Sequence, residues 1–292
     1  MPAHLLIQDG SPWWLSPDLW VVPGNDPNGP PGSPVAGINA YLWARVANTG
    51  NVAANGTRVD FYWANPSAQM VVGVATFIGS AFADLDPGAT QDVLCLVPWK
   101  PVIVNGGHEC VLAVAHGPGD SNPIPDPLPN GYLFDPPAHD QIAQLNLSVL
   151  EASMLSMPLT LFVNAVGRAG KQVTLALEFG GEVDARVLAN LGVKGLRPAP
   201  ERHVDAGLSL EAHCPEQGKP EGKPRLELKV ERDASVPVFV SLQARRLQRG
   251  QYQLVHVVER SGDKLLGGVS FLVVNTRGHE QQSATSTEEQ QS

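Results

Sequence analysis

Cysteine is scarce: Cys95, Cys110 and Cys214 are the only three among 292 residues, too few and too irregular for a disulfide framework. Cys95 and Cys110 lie on neighbouring apolar runs, and pairing requires Cα atoms within about 7 Å, which leaves their redox state open. Charge is also thin, at 17% of residues against roughly 25% in ordinary soluble domains. Its balance is acidic, with a formal net charge of −9. The densest basic run, Arg245-Arg246-Leu247-Gln248-Arg249, reads as a solvated turn. Phosphate binding needs clustered cations, so nucleic acid is not an expected partner. No apolar run approaches the ~20 residues that cross a bilayer, so no membrane insertion is expected. The start, MPAHLLIQDG, has no basic n-region, and Leu5-Leu6-Ile7 is too short for a secretory h-region. That pattern predicts a cytoplasmic chain, or export by a route without a cleaved N-terminal signal.

What is abundant is turn chemistry. Gly and Pro number 29 and 26, and they gather in PGNDPNGPPGSP at 23–34 and PGDSNPIPDPLPNGYLFDPP at 118–137, stretches that exclude helix and strand interior. Between such loops apolar residues recur at period two. The segment from Tyr41 to Trp63 carries two alternating runs that predict paired strands, with Leu42, Ala44 and Val46 facing Val59, Phe61 and Trp63 in one core. Gln91–Val97 and HECVLAVAH alternate too, and DQIAQLNLSVL reads as the strand closing a first module. Beyond Glu151, MPLTLFVNAVG, KQVTLALEFGG, EVDARVLANLG, RLELKVERD, VPVFVSLQA, QYQLVHVVER and KLLGGVSFLVVN each read as strand-length runs. Leu247-x-x-Gly250-x-Tyr252 resembles a tyrosine corner. The last stretch, RGHEQQSATSTEEQQS, is polar and aperiodic and predicts a disordered tail. The predicted fold is all-β: two immunoglobulin-like β-sandwich domains, 1–150 and 151–276, with Pro/Gly-rich loops, then a tail over 277–292.

Reaction chemistry finds little support. His108 and Cys110 share a strand face, but the two further ligands of a closed zinc site are missing. Asp120, Asp126, Asp135 and Asp140 decorate the second Pro-rich loop without the spacing of an EF-hand. His139-Asp140 are adjacent and therefore face opposite ways on a strand, and no GxSxG elbow supplies a nucleophile. Gly79-Ser80 and Gly267-Gly268 lack the strand–loop–helix setting of a phosphate site. No catalytic residue, cofactor or metal is assigned, and the chain is not expected to be an enzyme.

Two aromatic sets are the candidate contacts. Trp13, Trp14 and Trp20 precede the recognisable core and either cover the end of the first sandwich or dock a partner. Tyr41, Trp43 and Tyr62 would form a sugar-stacking face if exposed together.

The succession DLWV at 18–21, NAYLWARVANTG, TRVDFYWANP, FIG at 77–79, LDPG at 85–88, VPWKP at 97–101, GHEC at 107–110 and NLSV at 146–149 resembles the CARDB-type immunoglobulin-like domains of bacterial proteins. The resemblance covers most of 18–150. It implies a sandwich used as an interaction or adhesion module, without catalytic residues. The expected function is therefore protein–protein interaction or structural assembly, with another protein, or a multi-protein assembly, as partner. The alternatives are an accessory module that binds a carbohydrate or protein substrate for an enzyme system, a cryptic hydrolase built around His139 or His108, and a calcium-stiffened adhesin.

Overall fold

A computed structural model of the chain describes residues 2–102, 109–155, 159–166, 171–211, 220–231 and 234–276. The expected tail at 277–292, His108 and Cys214 lie outside the described residues. The first half holds β1 (Leu5–Leu6), β2 (Leu19–Pro23), β3 (Ala40–Asn48), β4 (Ala54–Ala64), β5 (Thr76–Leu85), β6 (Thr90–Leu94), β7 (Cys110–His116) and β8 (Ile142–Leu145). One sheet runs β1-β3-β2 with β6 also on β3; the facing sheet runs β5-β4-β7-β8.

The inward residues of the 41–63 segment do meet: Leu42, Ala44, Val46, Val59 and Phe61 sit in one buried cluster, with Trp63 packed against it. The expected pairing of the two strands is overturned, because β3 bonds β1, β2 and β6 while β4 bonds β5 and β7. The cause is Asn48. Its buried side chain donates to Val52 O (2.8 Å) and Leu85 O (3.0 Å), and accepts from the His4 and Gly50 N–H groups. Those bonds turn the chain across the sandwich, so the two runs face each other.

In the second half follow β9 (Leu147–Glu151), β10 (Leu159–Val166), β11 (Lys171–Phe179), α1 (Ala185–Asn190), β12 (Arg197–Pro198), β13 (Val204–Ser209), β14 (Arg225–Val230), β15 (Ser235–Ala244), β16 (Gln251–Ser261) and β17 (Lys264–Val274). A three-stranded sheet, β10-β15-β13, faces a larger one, β14-β11-β16-β17-β9, with β12 on β16. Two expectations are corrected here. EVDARVLANLG yields α1, because Asp184 accepts the Arg186 N–H at 2.7 Å as an N-cap. Ala, Arg and Leu then favour the helix until Gly192, at φ +74°, permits the stop. DQIAQLNLSVL is two strands, since the chain leaves one sheet at Asn146 and joins β17 in parallel as β9.

The strands β16 and β17 are buried on both faces, which explains why they read as near-continuous apolar runs. Val255, Val257, Val269, Phe271 and Val273 line the second core. On the opposite face Tyr252, Leu254, Leu272 and Val274 join the core of the first sandwich. Tyr252 departs from the expected corner: its hydroxyl accepts the Val183 N–H at 3.1 Å, far upstream.

A polar seam fixes this junction. Asn146 donates to Ser67 O (2.9 Å) and Gly268 O (2.8 Å) and accepts from the Cys110 thiol (2.6 Å). A Cβ on Gly267 would strike the Ala68 carbonyl, and one on Gly268 the Trp14 indole, so these glycines permit the close approach. Beside them the fully buried Glu259 accepts from Gln69 Nε2 at 2.9 Å while its Oε2 has no partner among the described residues. Burial pushes its carboxyl up to about 7.

A raised carboxyl binds its proton more tightly folded than unfolded. Stability therefore falls as pH rises from its ordinary value of 4.5 to about 7, by at most about 1.4 kcal/mol per pH unit, and then levels off. Glu259→Gln keeps the acceptor for Gln69 without the charge. Thermal melts at pH 5 and pH 8 should show the variant gaining on the parent at pH 8, with a residual slope from Asp9, whose carboxyl is also raised to about 7 by burial and by Asp140. An identical offset at both pH values would refute a charged cost at Glu259.

Candidate interaction surface

The N-terminal tryptophans divide. Trp14 is 1% exposed. Its Nε1–H donates to Ser270 Oγ (2.9 Å), which also contacts His256 Nδ1 (2.7 Å), while His256 Nε2 reaches Gly180 O (3.2 Å). Burial holds the His256 imidazole below its usual range, consistent with a neutral ring that passes hydrogen bonds along this chain. Trp14 thus plugs the junction between the two halves. Trp13 packs edge-on against it at 5.3 Å and is half-buried.

Trp20 is elsewhere, on the outer face of β2, stacked at 5.8 Å and 9° on Trp43 of β3. The Arg45 guanidinium lies 5.9 Å from the Trp20 ring and forks onto Asp92 at 2.7 and 3.0 Å. Trp43 Nε1–H donates to Pro27 O of the first Pro-rich loop. Tyr41 shares that face, because Val22 pairs with Tyr41 as Trp20 pairs with Trp43. Tyr62 does not join them. It lies on β4 in the other sheet, buried with Met70, Leu112 and Phe134 beneath the second Pro-rich loop. The sugar-stacking set is therefore split, and each stacked indole gives one face to the other.

An apolar cleft beside Trp20, lined by Leu19, Val111, Leu145, Val187 and Leu191, holds one carboxylate, Glu109. That group is already engaged by Trp99 Nε1 (2.8 Å) and the Val102 N–H (2.7 Å). Asp120, Asp126 and Asp140 likewise serve separate partners, namely Leu5 N–H, Arg58 and His4. Among the described residues no group of three or more His, Cys, Asp or Glu could hold a metal. Cys95 and Cys110 are both free and buried. Burial pushes the Cys110 thiol up to about 12.

The surface missed in the sequence is the edge strand β5. Phe77 is 53% exposed and Phe82 68%, with Leu96 at 70% close by in sequence beyond β6. The two phenylalanines are an odd number of residues apart, yet both face outward: Phe82 pairs with Arg58 and Phe77 with Tyr62, across a register shift between Phe61 and Tyr62. That irregularity flips Phe77 to the solvent side. Among the described residues β5 pairs with β4 alone. The far edge of the same sheet is closed, since Ser16 N–H donates to Gln144 O, Asn146 N–H to Trp14 O, and Leu15 bridges Leu145.

The charges around Phe82 are largely paired, centred on its cross-strand neighbour Arg58. Burial pushes Asp60 up, but His116 at 3.3 Å, the Ser80 hydroxyl at 2.6 Å and Arg58 at 3.0 Å outweigh it and hold the carboxyl below its usual range. Arg58 also pairs with Asp126 at 2.8 Å, and Asp84 is exposed on β5 itself.

No family model matches the chain, so the CARDB resemblance is unconfirmed, and no curated protein matches it. Solved structures similar in part include red sea bream transglutaminase (12% identity, 89% of this chain, TM-score 0.22) and the CupB6 tip adhesin of Pseudomonas aeruginosa (10% identity, 93% of this chain and 97% of that one, TM-score 0.22). The chain spans 31% of the transglutaminase. Likenesses this remote carry no argument.

The placement of the tryptophans gives a stability test. Trp14→Ala should cost about 3–5 kcal/mol in urea unfolding, whereas Trp20→Ala, half-exposed, should cost clearly less. Equal losses would contradict the division made here.

Proposed function

We propose that the chain is a protein-binding and assembly module whose contact surface is the open edge of β5. The supporting observation is a ten-residue edge strand that carries two exposed phenylalanines in a sheet whose other edge is closed. Long apolar edges invite pairing with another chain, and natural proteins usually blunt them with charge, proline or cover. Retention of Phe77 and Phe82 at such an edge fits recognition by strand addition. Main-chain bonds would supply affinity and alternate side chains specificity. The resemblance to CARDB-type domains, which implies an interaction module, agrees with this reading. The exposed carboxylates of Asp84 and Asp126 favour a partner strand with basic flanks.

Phe82→Lys tests this directly. Being a surface change, it should alter stability by no more than about 0.5 kcal/mol. Affinity purification from the native cell should lose the specific partner by tenfold or more, and β5 amides of the parent should gain hydrogen-exchange protection in the complex. Unchanged recovery with Phe82→Lys, or protection confined to other strands, would refute the assignment.

A further inference from the structure

Away from β5, three residues distant in sequence meet at the N-terminal strand. His4 Nδ1 lies 2.6 Å from Ser121 Oγ, and His4 Nε2 lies 3.0 Å from Asp140 Oδ2. Sequence inspection placed Asp140 beside His139; its imidazole partner is instead His4, 136 positions away.

The backbone around each residue is held. His4 N–H donates to Asn48 Oδ1 (3.2 Å), and its carbonyl accepts from Thr49 N–H (2.8 Å). Ser121 N–H donates to Ala3 O (2.9 Å), and neighbouring Asp120 accepts the Leu5 N–H (3.0 Å) and the Asn122 N–H (2.8 Å). The Asp140 carbonyl accepts the Ile7 N–H at 2.8 Å. The side chains nevertheless reach solvent, with His4 32% and Asp140 56% exposed, and Ser121 is exposed.

We propose that Ser121 is a nucleophile activated by His4 and oriented through Asp140, and that it takes acyl groups from activated esters or thioesters. The partners imply the tautomer: Nε2–H donates to the Asp140 carboxylate, leaving the Nδ1 lone pair to accept the Ser121 hydroxyl proton. As Ser121 Oγ bonds to the acyl carbon, its proton passes to Nδ1 and the carbonyl π pair moves onto oxygen. The resulting imidazolium is stabilised by Asp140. Collapse of the tetrahedral species expels the phenolate or thiolate leaving group, which takes the proton from Nδ1. Water then attacks the acyl-serine by the same route, releasing the carboxylic acid and restoring Ser121. The sequence is a triad's logic with the two ring nitrogens exchanged.

The substrate class follows from what surrounds the serine. Its own N–H is already bonded to Ala3 O, so it cannot serve as an oxyanion donor. Loss of one such donor costs about 10²–10³ in rate. Acyl donors with good leaving groups need that help least, and amides need it most. Asp9 is half-buried and close enough to feel the Asp140 charge, and its buried Oδ1 has no partner among the described residues.

The test uses the full chain, a fluorophosphonate probe and p-nitrophenyl acetate. The parent should be labelled stoichiometrically at Ser121, located by peptide mass spectrometry, and should release a burst of one equivalent of p-nitrophenolate. Ser121→Ala should abolish both. His4→Gln keeps a hydrogen-bonding side chain without a base and should slow labelling about 100-fold. Asp140→Asn should slow labelling about tenfold or more. Melting curves of these exposed-site variants verify that each is folded. Label spread over lysines with none at Ser121, or a Ser121 rate unchanged by His4→Gln, would overturn the proposal.

Discussion

The fold depends on one contact, the Trp14 indole lying on the glycine floor of β17. Burying a tryptophan removes roughly 150–250 Å² from water, worth about 4–6 kcal/mol at 25 cal/mol per Å². That is a large share of a typical total stability of about 5–15 kcal/mol. The gain requires that Gly268 present no Cβ, and that Gly267 let the Ala68 carbonyl come equally close. The indole N–H would then be a buried orphan, but Ser270, His256 and Gly180 carry its bond onward. Packing and polar satisfaction are solved at the same place, and neither would hold alone.

Once that junction is set, β16 and β17 become a shared middle layer. Tyr252, Leu254, Leu272 and Val274 complete the first core, and Val255, Val257, Val269, Phe271 and Val273 the second. A buried middle layer disfavours charge, and burial there raises the Glu259 carboxyl to about 7. Asn146 performs the complementary task on the chain itself. Its side chain bonds to both halves as the backbone passes from the first sheet to the second.

Period-two alternation revealed which faces of β3 and β14 are buried, because a one-sided strand writes its environment into successive residues. It did not reveal partners. The pairing of β3 and β4 with different sheets is decided by Asn48, a residue that looks like an ordinary turn former until its bonds to Val52 and Leu85 are seen. In EVDARVLANLG, alternation competed with an Asp cap followed by helix formers, and local capping won. The Phe77–Phe82 face was hidden for a different reason, since an irregularity in register reverses the parity on which such readings rest. The meeting of His4, Ser121 and Asp140 is wholly non-local and left no spacing to detect.

The edges show how selectively exposure is distributed. The first Pro-rich loop contacts β2, where Gly32 N–H donates to Val21 O. At β14 the exposed positions are Arg225, Glu227 and Lys229, charges that discourage another strand. Polar Thr90, Gln91 and Asp92 do the same for β6, and the Trp14–Ser16 segment closes β8. Against four protected edges, β5 sets Phe77 and Phe82 in solvent and offers Asp84 as its one exposed charge. Loops, charges and the N-terminal aromatics guard those four edges, while β5 keeps a long apolar edge that pairs on one side only among the described residues, and the proposed strand addition rests on that contrast.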